Sequence, residues 1–144
     1  MKRIQGWGNT TTDYPVPEPA TQYLEKVVGA PLKLKNAAIE DLLKSVPLSQ
    51  FPPHPLITTD PEDRLRHARG QSLNDWVDMF SGLVDSFPDG IAYPKTDQQV
   101  SDLIHFAEEN GINLVPYGGG SSVVGHITPP HEGPPTLCVD LASM

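Results

Sequence analysis

The sequence predicts a mixed α/β chain of the α+β type: a mostly helical N-terminal region over residues 1–83, then the first strand, helix and strand of a second domain over 84–144. Two observations carry this. Apolar residues recur at helical spacing between Asn36 and Phe80. Beyond residue 88 two short β-rich runs, Asp89–Tyr93 and Ile112–Val115, flank an amphipathic helix, and a third run, Thr136–Leu141, follows them.

Residues 1–20 read as irregular, because Gly6, Gly8 and the run PVPEP at 15–19 oppose regular structure. Thr21–Val28 makes a short helix ended by Gly29. From Asn36, a candidate cap, the pattern NAAIEDLLKSV places Ile39, Leu42, Leu43 and Val46 on one helical face until Pro47 ends it. SQFPPHPLITTDPED reads as an extended connector. Asp60-Pro61 is a helix entry, with RLRHARG as the body and Gly70 as the stop. A further helix spans Ser72–Phe80, with Leu73, Trp76, Val77 and Phe80 facing inward and Asp75 suited to the N-terminal dipole.

In the second region TDQQ at Thr96–Gln99 has the spacing of a capping box. Val100, Leu103, Ile104 and Ala107 form the apolar face behind it, and Asn110-Gly111 stops the helix. Ile112–Val115 then runs into the triplet Gly118-Gly119-Gly120. The chain closes just after its third strand, which still needs cover on both faces, so it reads as the truncated opening of a larger domain.

Composition narrows the function. Sixteen prolines, about twice average usage, concentrate at 15–19, 47–55 and 129–135, segments that read as neither helix nor central strand. A net charge of -8 opposes nucleic acid or an anionic membrane as the main partner. Cys138 is the single cysteine, so no internal disulfide forms and a reducing compartment fits. MKRIQGWGN lacks the apolar run of a secretory signal, and no segment approaches the roughly 18 apolar residues of a membrane span. A soluble intracellular protein is expected.

The stretch NLVPYGGGSSVVGH, Asn113–His126, carries the chemistry. Three successive glycines after a strand cost backbone entropy, and two readings account for them. One is a glycine-rich turn joining two strands. The other is a phosphate cradle, in which backbone N–H groups of Gly118, Gly119 and Gly120 and the hydroxyls of Ser121 and Ser122 converge on phosphate oxygens. The second suits the position, since ligands gather at the carboxyl ends of strands. Two common phosphate loops do not match: no lysine follows as a Walker loop requires, and Val123 stands where the dinucleotide fingerprint places its third glycine.

From Asp60 onward the chain resembles the FAD-binding oxidase and transferase family with the vanillyl-alcohol-oxidase, or PCMH-type, flavin fold. The resemblance is carried by DPEDRLRHARGQSLNDW, FPDGIAYPKTDQQV, NLVPYGGGSSVVGH and VDLASM, with GWG near the start. Within the family the chain is most similar to the alkyldihydroxyacetonephosphate-synthase branch, flavoenzymes of ether-lipid synthesis. The resemblance implies that Pro116, Tyr117, Gly118, Gly119, Gly120, Ser121 and Ser122 wrap the pyrophosphate of a noncovalently bound FAD, with Ser121 standing where threonine is usual. It also implies a lipid-precursor or other small-molecule substrate, and leaves a homodimer open for the complete protein. The family's catalytic residues lie beyond Met144, so none is assigned in this chain. Alternatives are an FAD-dependent oxidase of 2-hydroxy acids such as lactate or glycolate, and a stand-alone nucleotide-binding module without catalysis. The expected location is cytoplasmic for a bacterial protein and peroxisomal for a eukaryotic ether-lipid enzyme.

Other candidates have plainer readings. Some relatives attach FAD through a histidine in this loop, but those lie nearer the glycines, and His126 reads as a structural histidine. His54 and His131 show no metal-ligand spacing with Cys138, so no metal site is assigned. Arg64, Arg66, His67 and Arg69 form a basic cluster, read either as a site for a phosphate-bearing substrate or, with the stronger case, as a solvated helix face balanced by Asp60, Glu62 and Asp63. Trp7 and Trp76 read as packing anchors, and Asp89 and Asp140 as structural.

Overall fold

The computed structural model describes residues 3, 4, 6, 8–32 and 36–144. Trp7 lies outside the described residues.

Helix α1 (Glu18–Val28) begins inside the proline run that the sequence reading excluded from helix. Pro17 is its N-cap and Pro19 stands in the first turn, where a missing N–H has no helical partner to lose. None of its residues is buried. Helix α2 (Ile39–Ser45) starts from Ala38, without a side-chain cap, and not from Asn36. Tertiary pairing sets that start: the Ala37 N–H donates to the carbonyl of Phe80 at 2.8 Å.

Helix α3 (Pro61–Arg66) opens as expected, with the Asp60 carboxylate accepting from the N–H groups of Glu62 and Asp63. It closes at Arg66, short of Gly70. The chain tightens there, with the N–H groups of His67 and Ala68 donating to the carbonyls of Arg64 and Leu65. Helix α4 (Leu73–Ser81) carries a reciprocal capping box between Ser72 and Asp75 and ends at Gly82 in the left-handed conformation. Its predicted inward face is met in part, with Trp76 and Phe80 half-buried. Asp75 and Met79 are buried, whereas Leu73 and Val77 are exposed. The entry sets this rotation: the Gln71 N–H donates to the carbonyl of Ser122 at 2.6 Å, and the Asp75 carboxylate accepts from the Ser72 N–H.

Four strands form one sheet in the order β1-β2-β4-β3. Strand β1 (Ile57–Thr58) falls in the segment read as a connector and pairs antiparallel with β2 (Gly90–Ala92). Strands β3 (Asn113–Tyr117) and β4 (Thr136–Asp140) run parallel to each other, and β4 runs parallel to β2. The predicted strand-helix-strand unit over 89–116 is present, with α5 (Asp97–Asn110) as its crossover, but β4 lies between its two strands. Pro116 fits because β3 is the sheet edge, where a residue without N–H breaks no ladder. At the start of α5 the Thr96 hydroxyl accepts from the Gln99 N–H, while the Gln99 side chain reaches back to Lys95 N–H and not to Thr96.

Period-2 alternation along β4 divides the core. Leu137 and Val139 pack with Ala92, Leu103 and Leu114 on the α5 side, and Cys138 packs with Ile91, Tyr117 and Ile127 on the other. From the predicted face of α5, Leu103 and Ala107 are buried and Ile104 is left exposed. Leu42, Leu65, Ala68, Met79 and Val84 form a separate cluster among α2, α3 and α4.

Candidate functional site

Because β2, β3 and β4 are parallel, their carboxyl ends at Ala92, Tyr117 and Asp140 lie on one side of the sheet. A cavity of about 400 Å³ opens there. Arg66, His67, Arg69 and Gly70, from the junction between α3 and α4, line one wall; Tyr117, Gly118, Gly119 and Asp140 line the other, and Arg3 adds a further cation. In a chain of net charge -8 this lining is predominantly basic.

The glycine triplet divides by role. Of the three, only Gly120 has a positive φ, 69°, so the freedom expected of the whole triplet is used at one position. At Gly118 and Gly119 an added Cβ would meet nothing among the described residues within 4 Å. Packing among the described residues therefore does not require glycine at these two positions, and there is room beside their Cα atoms for a group to approach. That space fits a pyrophosphate approaching the peptide N–H groups.

The other residues of the predicted loop lie around this point. Pro116 faces the opposite side of the sheet, beside Leu103, Leu114 and Leu141. Tyr117 is buried, and burial first, then Cys138 and Asp140, push its phenol up to about 12. Ser121 is exposed. Ser122 is half-buried; its carbonyl anchors Gln71, and its hydroxyl lies 3.3 Å from His126 Nδ1. Of the seven predicted residues, Tyr117, Gly118 and Gly119 line the cavity.

The basic cluster is not a solvated helix face. Arg64, His67 and Arg69 are buried, and only Arg66 remains at the surface, paired with Glu62. Arg64 donates from Nε to the Pro88 carbonyl and from a terminal nitrogen to the Pro47 carbonyl, each at 2.6 Å. Arg69 donates to the carbonyls of Ala68 and Ser86 and to the Asp85 carboxylate. Burial here runs through Arg64, Leu65 and residues 67–70 without helical period, so spacing in the sequence gives no signal of it.

His67 also makes the long-range contact that sequence reasoning missed. Its Nε2 lies 3.0 Å from Asp140 Oδ2, its Nδ1 lies 2.7 Å from the Asp63 carbonyl, and its ring centroid lies 4.4 Å from that of Tyr117. Asp89 is structural, accepting from the Thr136 N–H at 2.9 Å while its own N–H donates to the Thr136 carbonyl. His54 Nδ1 accepts from the Leu56 N–H, and its ring packs on Phe106. Among the described residues no group of three or more His, Cys, Asp or Glu is placed to hold a metal, and no helix is long and apolar enough to cross a membrane.

Burial, and secondarily Asp140, push the Cys138 thiol up to about 12 from its ordinary 9.0. A pKa raised by folding favours the folded state below the unfolded value and is lost as pH climbs to the folded one. Stability should therefore decline between about pH 9 and 12, with Tyr117 adding to the decline from its ordinary 10.0 upward. Urea titrations at pH 8, 9.5 and 11 read this out, and Cys138→Ala should flatten the first part of the decline. An unchanged slope in the variant would assign the loss to other groups.

Residues 88–144 match the sequence family described as FAD binding domain. Particular relatives narrow the class. Over 81 residues the chain is 33% identical to alkyldihydroxyacetonephosphate synthase of Dictyostelium discoideum, an alignment covering 56% of the chain and 13% of that enzyme. Over 88 residues it is 31% identical to the mitochondrial D-lactate dehydrogenase [cytochrome] of Arabidopsis thaliana, covering 61% of the chain and 14% of the enzyme. A solved alkyldihydroxyacetonephosphate synthase structure superimposes with a TM-score of 0.73 at 22% identity, over 99% of this chain and 33% of that one. The fold is thus shared with that solved synthase structure, and the chain spans about a seventh of the length of the two enzymes whose sequences it matches.

Proposed function

We propose that Tyr117, Gly118, Gly119, Gly120, Ser121 and Ser122 form the pyrophosphate cradle of noncovalently bound FAD, with Pro116 leading the strand into it from the opposite side of the sheet, and that the complete protein is a flavoenzyme of the alkyldihydroxyacetonephosphate-synthase type. The observation that carries the site is the open space before Gly118 and Gly119 at the carboxyl ends of three parallel strands, within the segment that matches the FAD binding domain. Hydrogen bonds to a charged acceptor contribute about 1.5–3 kcal/mol each, so three or four hold a pyrophosphate. The basic lining of the cavity favours the same anion. When bound, FAD supplies the redox-active ring; this chain's residues bind and orient the cofactor. Residues 84–144 are then the opening of the flavin domain and 1–83 a helical region against it, with no catalytic residue in either. The chain alone is inactive in this reading.

A second reading, oxidation of a 2-hydroxy acid, is favoured by the D-lactate dehydrogenase relative. The complete protein supplied with acyl-dihydroxyacetone phosphate and a fatty alcohol, then separately with D-lactate, separates the two by which substrate is consumed. Cofactor binding is tested on this chain directly. Titration should quench FAD fluorescence, and Gly119→Asp should raise the dissociation constant by about 100-fold or more, because a carboxylate facing phosphate oxygens costs several kcal/mol. Equal titration of the two proteins would remove the glycine loop from the cofactor site. Binding by this chain, with neither substrate consumed by the complete protein, would leave a nucleotide-binding module without catalysis.

A further inference from the structure

His67 comes from the α3–α4 junction, outside the FAD-matching segment, yet it touches the ends of both strands that carry the glycine loop. Its two ring nitrogens face different oxygens. The Asp63 carbonyl, 2.7 Å from Nδ1, can only accept, so Nδ1 must carry a proton. Nε2 faces Asp140 Oδ2 at 3.0 Å. A neutral ring with its proton on Nδ1 would turn the Nε2 lone pair toward a carboxylate, which is repulsive; a second proton on Nε2 turns the contact into a charge-assisted hydrogen bond.

Two tyrosine rings pack against the imidazole. The Tyr117 ring lies at 4.4 Å, and Tyr93 stands edge-on at 5.9 Å with its hydroxyl donating to the Asp63 carboxylate. The arginines lining the cavity pair elsewhere, Arg3 with Asp13, Arg66 with Glu62 and Arg69 with Asp85, and His67 lies against Asp140. Asp140 is anchored in turn by the Ala142 N–H on Oδ1, and the Leu141 N–H donates to the Tyr117 carbonyl. Whatever holds Asp140 and Tyr117 therefore sets the position of the backbone leaving β3 at Gly118.

Resting on the FAD reading above, we infer that His67 is a positioning residue for the FAD loop, an imidazolium that clamps Asp140 and Tyr117 and so holds the Gly118-Gly119 backbone where the pyrophosphate meets it. It touches no part of the cofactor; it acts through the two strand ends. This places part of the control of cofactor affinity in the helical N-terminal region.

The test has two arms on the complete chain. In the first, ¹⁵N-histidine NMR at pH 7, with His67 assigned by its absence from the His67→Gln spectrum, should show both ring nitrogens protonated; an unprotonated Nε2 overturns the imidazolium. In the second, FAD is titrated into three proteins. His67→Leu should weaken binding at least tenfold, about 1.4 kcal/mol, while His67→Gln, whose amide N–H can still reach Asp140, should recover to within about threefold of the starting protein. Equal loss in both variants means that His67 only fills space, and no loss in His67→Leu removes it from the loop's support; either result overturns the inference. Failure of the unsubstituted chain to bind FAD refutes the cofactor site instead, and the NMR arm then decides the state of the pair by itself.

Discussion

Gly70→Val should lower the free energy of unfolding by about 3 kcal/mol, at the upper end of what overpacking costs, and should weaken FAD binding with it. A Cβ at residue 70 would collide with the carbonyl oxygen of Ser122 and lie 3.1 Å from Ser122 Cβ and 3.2 Å from Asp75 Oδ2. Two of these atoms belong to the loop that leaves the glycine triplet, and backbone yields less readily than a flexible side chain. The next residue, Gln71, donates its N–H to that same Ser122 carbonyl at 2.6 Å, so any retreat by the loop also breaks the tie that orients α4. Gly118→Ala is the control, because its Cβ enters open space and its φ is not positive. Its melting temperature should stay within about 2 °C of the starting protein, as expected for a substitution without overpacking, while its affinity for FAD falls. Thermal unfolding and flavin titration on both variants separate the two roles, and a Gly70→Val protein as stable as Gly118→Ala would show that the contact with Ser122 is slack.

Arg64→Leu should be the most destabilising change of a basic residue in the chain, at about 3–5 kcal/mol, the range for removing one partner from a buried charged network. The guanidinium is 1% exposed and joins two proline carbonyls, at Pro47 and Pro88, that no helix or strand satisfies. Proline supplies carbonyls but no N–H, so both segments depend on a donor from elsewhere. Burial lowers the pKa of Arg64 and Asp89 opposes that shift, which suits a cation kept inside by its hydrogen bonds. Arg64→Lys should recover only part of the loss, since a single ammonium does not span two carbonyls as the guanidinium fork does. Arg66→Ala, on the exposed pair with Glu62, should cost no more than about 1 kcal/mol. Urea midpoints rank the three variants; similar midpoints for Arg64→Leu and Arg66→Ala would mean that other groups satisfy the two carbonyls.

Legibility differed along the chain for identifiable reasons. The second region was read closely because its signals are local. The cap at Thr96, the stop at Gly111 and the runs that became β2, β3 and β4 each depend on residues a few positions apart, as does the Asp60 cap in the first region. The inward face of α4 was read only in part because its rotation depends on Ser122, some 50 residues away. The basic cluster was misread for a related reason: charge predicts solvent exposure unless long-range carbonyls are waiting, and those of Pro47, Ser86 and Pro88 cannot be located from sequence. Strand β1 went unnoticed because two residues give no alternation to detect.

By itself the sequence determined the class of elements, the strand-helix-strand core of the second region and the glycine loop that follows its second strand, since capping, hydrophobic period and glycine runs act over a few residues. Only the tertiary structure decided that β4 lies between β2 and β3, that Tyr117, Gly118 and Gly119 rather than the whole loop line the cavity, and that Arg66, His67, Arg69 and Gly70 line it as well. Those facts depend on which distant backbone groups find partners, and hydrogen bonding and close packing settle that only when the whole chain has come together.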